Sequence, residues 1–279
     1  MSSVTEGAVT ARVGDGDIRF WRVGTGEPLV LLHPLRAQLE YFLPLLKELD
    51  SSRFEVIVPD LPGHGRSSAP LADYTASYFT DAVGRLLEFW DVRGAIVAGE
   101  SIGASIALGL AAQHNPRLRR VVALNPYDYG RRGGIRRSLL LGNAVFTAML
   151  WPGIGPMVAG VRNRAVLRGV LGGGLHDRRM LPDELVDDLR SAAGLPGHAR
   201  AFRSLTLNWR TWIAARDGLG EISVPVILAY GEYDWSRPDE RDANVRAIPR
   251  VQAVDLPACG HFSALERPRA VAALIEGGP

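Results

Sequence analysis

Short apolar runs bounded by turn residues recur along the chain: AVTARV (8–13), IRFWRV (18–23), LVLLH (29–33), FEVIVPD (54–60), GAIVAGE (94–100), RVVALNP (120–126), VPVILAYG (224–231) and VQAVDL (251–256). Their length and β-branched content predict strands. Helical patterns fall between them at 39–49, 74–90, 102–114, 239–247 and 263–275. The first two runs read as a hairpin around Gly14-Asp15-Gly16. The later runs are continuous rather than alternating, as parallel strands covered by helices on both faces require. The chain is therefore expected to be an α/β protein with a mostly parallel central sheet flanked by helices.

The alternation lapses after Asn125-Pro126 and resumes at 224. The stretch between, 127–220, is helical in pattern. It is expected to form a helical cap or lid, inserted between the sixth and seventh strands, over the carboxyl edge of the sheet where open α/β sheets place their ligands. Residues 1–126 and 221–279 would then make the core domain, and a chain of 279 residues suffices for one such core plus an insertion.

Within the cap, 138–161 carries no charge and has spanning length, but Gly142, Pro152, Gly153, Gly155, Pro156 and Gly160 interrupt it. Broken lid helices are expected there, with no stable membrane insertion, and the segment offers a contact for a homodimer. The first half of the cap also holds nine arginines (131, 132, 136, 137, 162, 164, 168, 178 and 179) against Asp128 and Asp177 alone. They are either solvated helix faces or a selector for an anionic substrate.

Charge and cysteine content narrow the partners. A net charge of +2, without a dense basic block interleaved with aromatics, argues against nucleic acid. Cys259 is the only cysteine, which excludes an intrachain disulfide and a cysteine-based zinc site. With no basic and apolar leader pattern in the first 17 residues, a cytoplasmic location is expected.

The candidate chemistry centres on AGESIGAS (98–105), which follows a buried strand and opens the helix IGASIALGLAAQ. Gly99 and Gly103 give Ser101 the small neighbours that a nucleophile on a sharp strand-to-helix turn needs. A serine capping the helix would look the same locally. The nucleophile reading requires a histidine base and a carboxylate downstream. Asp234 in GEYDW and His261 in ACGHFS supply them, each after a predicted strand. Asp128 is the alternative acid, and Asp239 and Asp255 are weaker rivals. His33 and His64 are expected to hold loops together, Arg66 and Ser67 to belong to a turn, and Cys259 to lack a partner that would make it a second nucleophile. Glu100 either tunes the surroundings of Ser101 or faces solvent.

The segments LLHPLR, DLPGHGRSS, GESIG, GEYD and CGHF occur in the order and context of the α/β-hydrolase fold, and the chain resembles that superfamily over nearly its whole length. The resemblance implies Ser101 as nucleophile, His261 as base and Asp234 as its partner. It also implies an oxyanion hole from the backbone N–H groups of Leu35 and Ile102, and neither metal nor organic cofactor. Members commonly carry His-Gly where this chain has His33-Pro34; proline has no N–H, so the donor falls to Leu35. Serine rather than aspartate at the nucleophile position disfavours the dehalogenase and epoxide-hydrolase branches. The expected activity is hydrolysis of an ester, or a related acyl or C–C bond, in a small to medium, mostly apolar carbonyl substrate. The rivals are a cofactor-free lyase, cyclase or acyltransferase, and a non-hydrolytic binding protein.

Overall fold

The computed structural model describes residues 7–129, 134–137 and 140–277. The strands among them are β1 (Val9–Val13), β2 (Gly16–Gly24), β3 (Glu27–Leu32), β4 (Phe54–Pro59), β5 (Ala95–Glu100), β6 (Leu118–Leu124), β7 (Val226–Gly231) and β8 (Val251–Leu256). They form one sheet in the order β1-β2-β4-β3-β5-β6-β7-β8. The pairs β1/β2 and β2/β4 are antiparallel, and the remaining five pairs are parallel. The mostly parallel α/β sheet expected from the continuous apolar runs is present.

Burial on both faces explains those runs. Leu29 and Leu31 of β3 point into one hydrophobic layer, Val30 and Leu32 into the other, and all four are fully buried. With each such side chain worth about 2 kcal/mol on burial, neither face tolerates polar residues, and the period-two signal vanishes. The edge strands are the exceptions: β1 has no buried residue and β8 only Leu256.

The helices before the insertion are α1 (Leu43–Leu46), α2 (Ala76–Phe89) and α3 (Ile102–Ala112). Between β6 and β7 lie α4 (Leu140–Met149), α5 (Gly155–Ala159), α6 (Arg164–Gly172), α7 (Asp183–Ala192), α8 (His198–Leu207) and α9 (Trp209–Ala214). After β7 come α10 (Pro238–Ala247), α11 (Ser263–Glu266) and α12 (Pro268–Gly277). Helices α2 and α3 cover one face of the sheet; α1, α11 and α12 cover the other. The inserted helices have a small cluster of their own around Phe146, Met149, Ala159 and Phe202, while Leu205 and Trp212 join the main core. No helix among the described residues is long and apolar enough to cross a membrane.

Two expected helices are cut short, each at a proline. The segment 263–275 splits into α11 and α12 at Arg267 (φ −134°, ψ 48°), because Pro268 disfavours the helical conformation in the residue before it. Around Pro44 the stretch 39–49 becomes a 3₁₀ turn, Leu39–Phe42, followed by the single turn of α1. Ser138, Leu139, Arg131 and Arg132 lie outside the described residues.

Candidate active site

Strand β5 ends at Glu100 and α3 begins at Ile102, so the whole reversal falls on Ser101, at φ 57° and ψ −117°. A non-glycine residue rarely adopts this conformation, and it costs about 1–3 kcal/mol. The packing around it holds it in place: Ser101 N–H donates to the Leu124 carbonyl (2.9 Å), and the Ser101 carbonyl accepts from Tyr127 N–H (3.0 Å). A Cβ on Gly99 would strike the Gly103 carbonyl, and one on Gly103 would strike the Leu32 carbonyl of β3. The Ser101 side chain makes no capping hydrogen bond to α3. The hydroxyl is therefore not used to close the helix, and the buried Ser101 lines a cleft instead.

His261 and Asp234 reach the same end of the sheet from the loops after β8 and β7. His261 Nδ1 and Asp234 Oδ1 are 2.5 Å apart, and both residues are buried. The second carboxylate oxygen, Oδ2, accepts from Tyr129 Oη (3.0 Å), Ser236 N–H (2.9 Å) and the Ser236 hydroxyl. Burial pushes the Asp234 carboxyl up, but the nearby His261 and these hydrogen bonds outweigh it and hold the pKa below the ordinary value. The imidazole stacks on Trp235, ring centres 4.0 Å apart. Asn125, at the end of β6, donates to the His261 carbonyl (3.0 Å) and the Ser263 hydroxyl (2.7 Å) and accepts from Gly231 N–H (2.8 Å). One side chain thus ties the histidine loop to the ends of β6 and β7.

Ser101, His261 and Leu35 line a single cleft of about 770 Å³, counted out to its mouth. Its other walls are largely aliphatic and aromatic, including Val145, Phe146, Leu167 and Val170 from the inserted helices. Ile102 follows Ser101 as the first residue of α3, and its N–H is among those with no acceptor inside the helix. The loop carrying Leu35 is fixed by His33, whose Nδ1 bonds the Pro34 carbonyl (2.9 Å) and whose Nε2 accepts from Leu61 N–H (3.0 Å). Burial lowers the His33 pKa to about 4, so the ring is neutral and serves as a structural tie.

Asp128 is placed elsewhere. It bonds Asn244 Nδ2 (2.5 Å), sits 3.6 Å from Arg216, and lines a separate small crevice with Trp212. Asp239 lies in the first turn of α10 and Asp255 in β8, where it pairs with Arg241 at 3.8 Å. Cys259 is buried, and burial pushes its thiol up to about 12, far from a reactive thiolate.

Glu100 does not face solvent. It is fully buried beneath the serine turn, accepting from Tyr41 Oη and from the N–H groups of Ser263 and Ala264. Burial raises its pKa to about 7 against these donors. Tyr129, Trp235, Asn125 and Tyr41 are site residues that sequence reasoning did not single out. Asn125 alone carried a signal: an asparagine directly after a strand and before a proline is a residue suited to the left-handed conformation it adopts (φ 46°).

The sequence profile of the alpha/beta hydrolase family matches residues 29–274. The chain is 26% identical over 265 residues to a 2-hydroxymuconate semialdehyde hydrolase of Pseudomonas sp. (strain CF600), covering 90% of this chain and 86% of that one. Among solved structures it is similar to the enol-lactonase of Burkholderia xenovorans LB400 (TM-score 0.75, 23% identity, 96% of this chain and 98% of that one). It is similar also to the epoxide hydrolase CorEH (TM-score 0.83, 22% identity, 96% and 97%). The two structural neighbours act by their names on different bonds, so this likeness speaks to the fold alone.

Proposed function

The chain belongs to the alpha/beta hydrolase family, and from that premise we propose that it is a serine hydrolase acting on an ester, or a related acyl or C–C bond, of a small to medium carbonyl compound. The observation that carries this reading is the convergence of a strained, uncapped Ser101 and an Asp234-bound His261 on one apolar cleft. The Asp234 carboxylate accepts a hydrogen bond from Nδ1–H, which leaves Nε2 of His261 as the basic nitrogen. His261 removes the hydroxyl proton as Ser101 Oγ attacks the carbonyl carbon. The oxyanion is met by the N–H groups of Ile102 and Leu35, each such donor being worth on the order of 10²–10³ in rate. Collapse of the tetrahedral adduct returns the proton from His261 to the leaving group. Water then repeats the sequence on the acyl-enzyme and releases the acid.

The name of the 26%-identical relative, a semialdehyde hydrolase, points to a carbonyl substrate as well. The walls of the cleft favour an apolar acyl chain. The test is labelling with a fluorophosphonate, which reacts only with an activated serine. Wild-type protein is expected to label stoichiometrically and Ser101→Ala not at all. A folded wild type that does not label, or a variant that still does, would refute the assignment.

A further inference from the structure

Four of the insertion's arginines, the sequence's candidates for an anion site, are engaged with acids among the described residues. Arg164 pairs with Asp183 and Asp187, Arg168 with Asp183, Arg179 with Asp177 and Arg137 with Glu240. Arg36 is different. It sits on the loop after β3, one residue beyond Leu35, and lines the cleft shared by Ser101 and His261. Its guanidinium carbon lies 4.3 Å over the Phe202 ring, and one amino group donates to the Val161 carbonyl at 3.3 Å. Among the described residues no carboxylate pairs with it, and no acidic residue lines the cleft. The side chain is partly buried, and desolvation unopposed by any neighbouring acid draws its pKa down to about 10.

The other side of Arg36 gives it no counter-charge either. There it borders a hollow of about 300 Å³ with His64 and His198, and burial holds both imidazoles below their ordinary pKa. Arg36 also adopts φ 61°, where glycine would be free of strain, so the position carries a long cationic side chain at a backbone cost. A cation held in an apolar cleft without an anion is costly, and an occupant that supplies the anion recovers that cost.

We propose that Arg36 binds a carboxylate of the substrate, which is therefore a carbonyl compound with its acyl carbon at Ser101 and a carboxylate against Arg36. One guanidinium balances one carboxylate. A phosphate dianion would call for a second permanent cation, and none lines the cleft among the described residues. The inference rests on the serine hydrolase reading and adds its substrate class.

The test compares kcat/KM for the mono-para-nitrophenyl ester of adipic acid with that for para-nitrophenyl hexanoate, which differ only in a terminal carboxylate against a methyl. Wild type is expected to favour the anionic ester by about tenfold or more. In Arg36→Met that preference should fall on the order of 10²-fold, as for truncating one partner of a desolvated charge pair, and Arg36→Lys should restore part of it. Damage to the fold lowers both rates and leaves their ratio unmoved. A wild type that prefers the hexanoate, or a ratio unchanged by Arg36→Met, overturns the proposal. In wild type alone, free hexanoate should protect Ser101 from fluorophosphonate at lower concentration than hexanamide; equal protection overturns it too. If Ser101 labels but charge is not discriminated, only the Arg36 assignment fails. If Ser101 does not label, the hydrolase reading fails with it.

Discussion

Replacing Asp234 by asparagine separates its role from that of Asp128, and the structure fixes which way the new amide must turn. Oδ2 of Asp234 receives three donors, from Tyr129 and twice from Ser236, while Oδ1 faces Nδ1 of His261. An asparagine has one acceptor oxygen and one donor NH₂. Turning the NH₂ toward three donors would leave several buried groups unpaired, at about 1–3 kcal/mol each. The oxygen therefore stays with Tyr129 and Ser236, and the NH₂ points at His261. Nδ1 must then accept, the proton moves to Nε2, and the ring can no longer take the proton of Ser101. The same tautomer error in a triad costs on the order of 10⁴ in kcat. Asp128→Asn changes no contact of His261 and should leave kcat within about threefold, because its partners are Asn244 and Arg216. The assay is steady-state hydrolysis of para-nitrophenyl hexanoate, with melting temperatures to confirm that both variants fold. A loss below tenfold in Asp234→Asn, or a larger loss in Asp128→Asn, would refute the reasoning.

Gly103→Ala drives a Cβ into the backbone of β3 at Leu32, and overpacking of this kind should cost roughly 3 kcal/mol. A thermal melt should show a fall on the order of 10 °C; an unchanged midpoint would mean that the turn is looser than its packing implies. Glu100 has its pKa raised from 4.5 to about 7, so the folded protein holds a proton that the unfolded chain has released between those values. Its contribution to stability is full below pH 4.5 and declines as pH rises to about 7, by on the order of 3 kcal/mol. Urea unfolding at pH 5 and pH 7.5 should show that decline in wild type and a correspondingly flatter response in Glu100→Gln. Parallel responses would count against the burial argument.

Strand positions and sheet type were legible because a doubly covered sheet leaves a direct trace: a continuous apolar run wherever both faces are dry, as in LVLL of β3. The order of GESIG, GEYD and CGHF likewise placed three chemistry-bearing residues at strand ends, and the structure brings Asp234 to His261 there. What stayed hidden depended on partners that no local pattern names. Glu100 looks the same in sequence whether it meets water or Tyr41, 59 positions away. Arg36 lies among 32 basic residues, and only the missing counter-ion separates it from the paired arginines of the insertion. The break at Arg267 was readable in principle, since Pro268 stands in the sequence, but the helical pattern on both sides masked it.

The position of His261 follows from how completely its loop is held. Glu266 accepts from Gly260 N–H (2.7 Å) and Asp177 N–H (2.7 Å), the Gly174 carbonyl from His261 N–H (2.6 Å), and Glu100 from Ser263 N–H. Asn125 donates to the His261 carbonyl (3.0 Å), so the residues flanking the imidazole are tied to β5, β6, α11 and the segment after α6. Two of these acceptors are buried carboxylates, Glu100 and Glu266, whose desolvation the backbone donors offset. In the proposed mechanism His261 is the base, and a base gains rate from being held within a fraction of an ångström of its partners. The inserted helices contribute to that hold through Gly174 and Asp177, which lie between α6 and α7. A substitution that displaced this segment of the insertion would therefore disturb the placement of the His261 imidazole as well as the cleft wall.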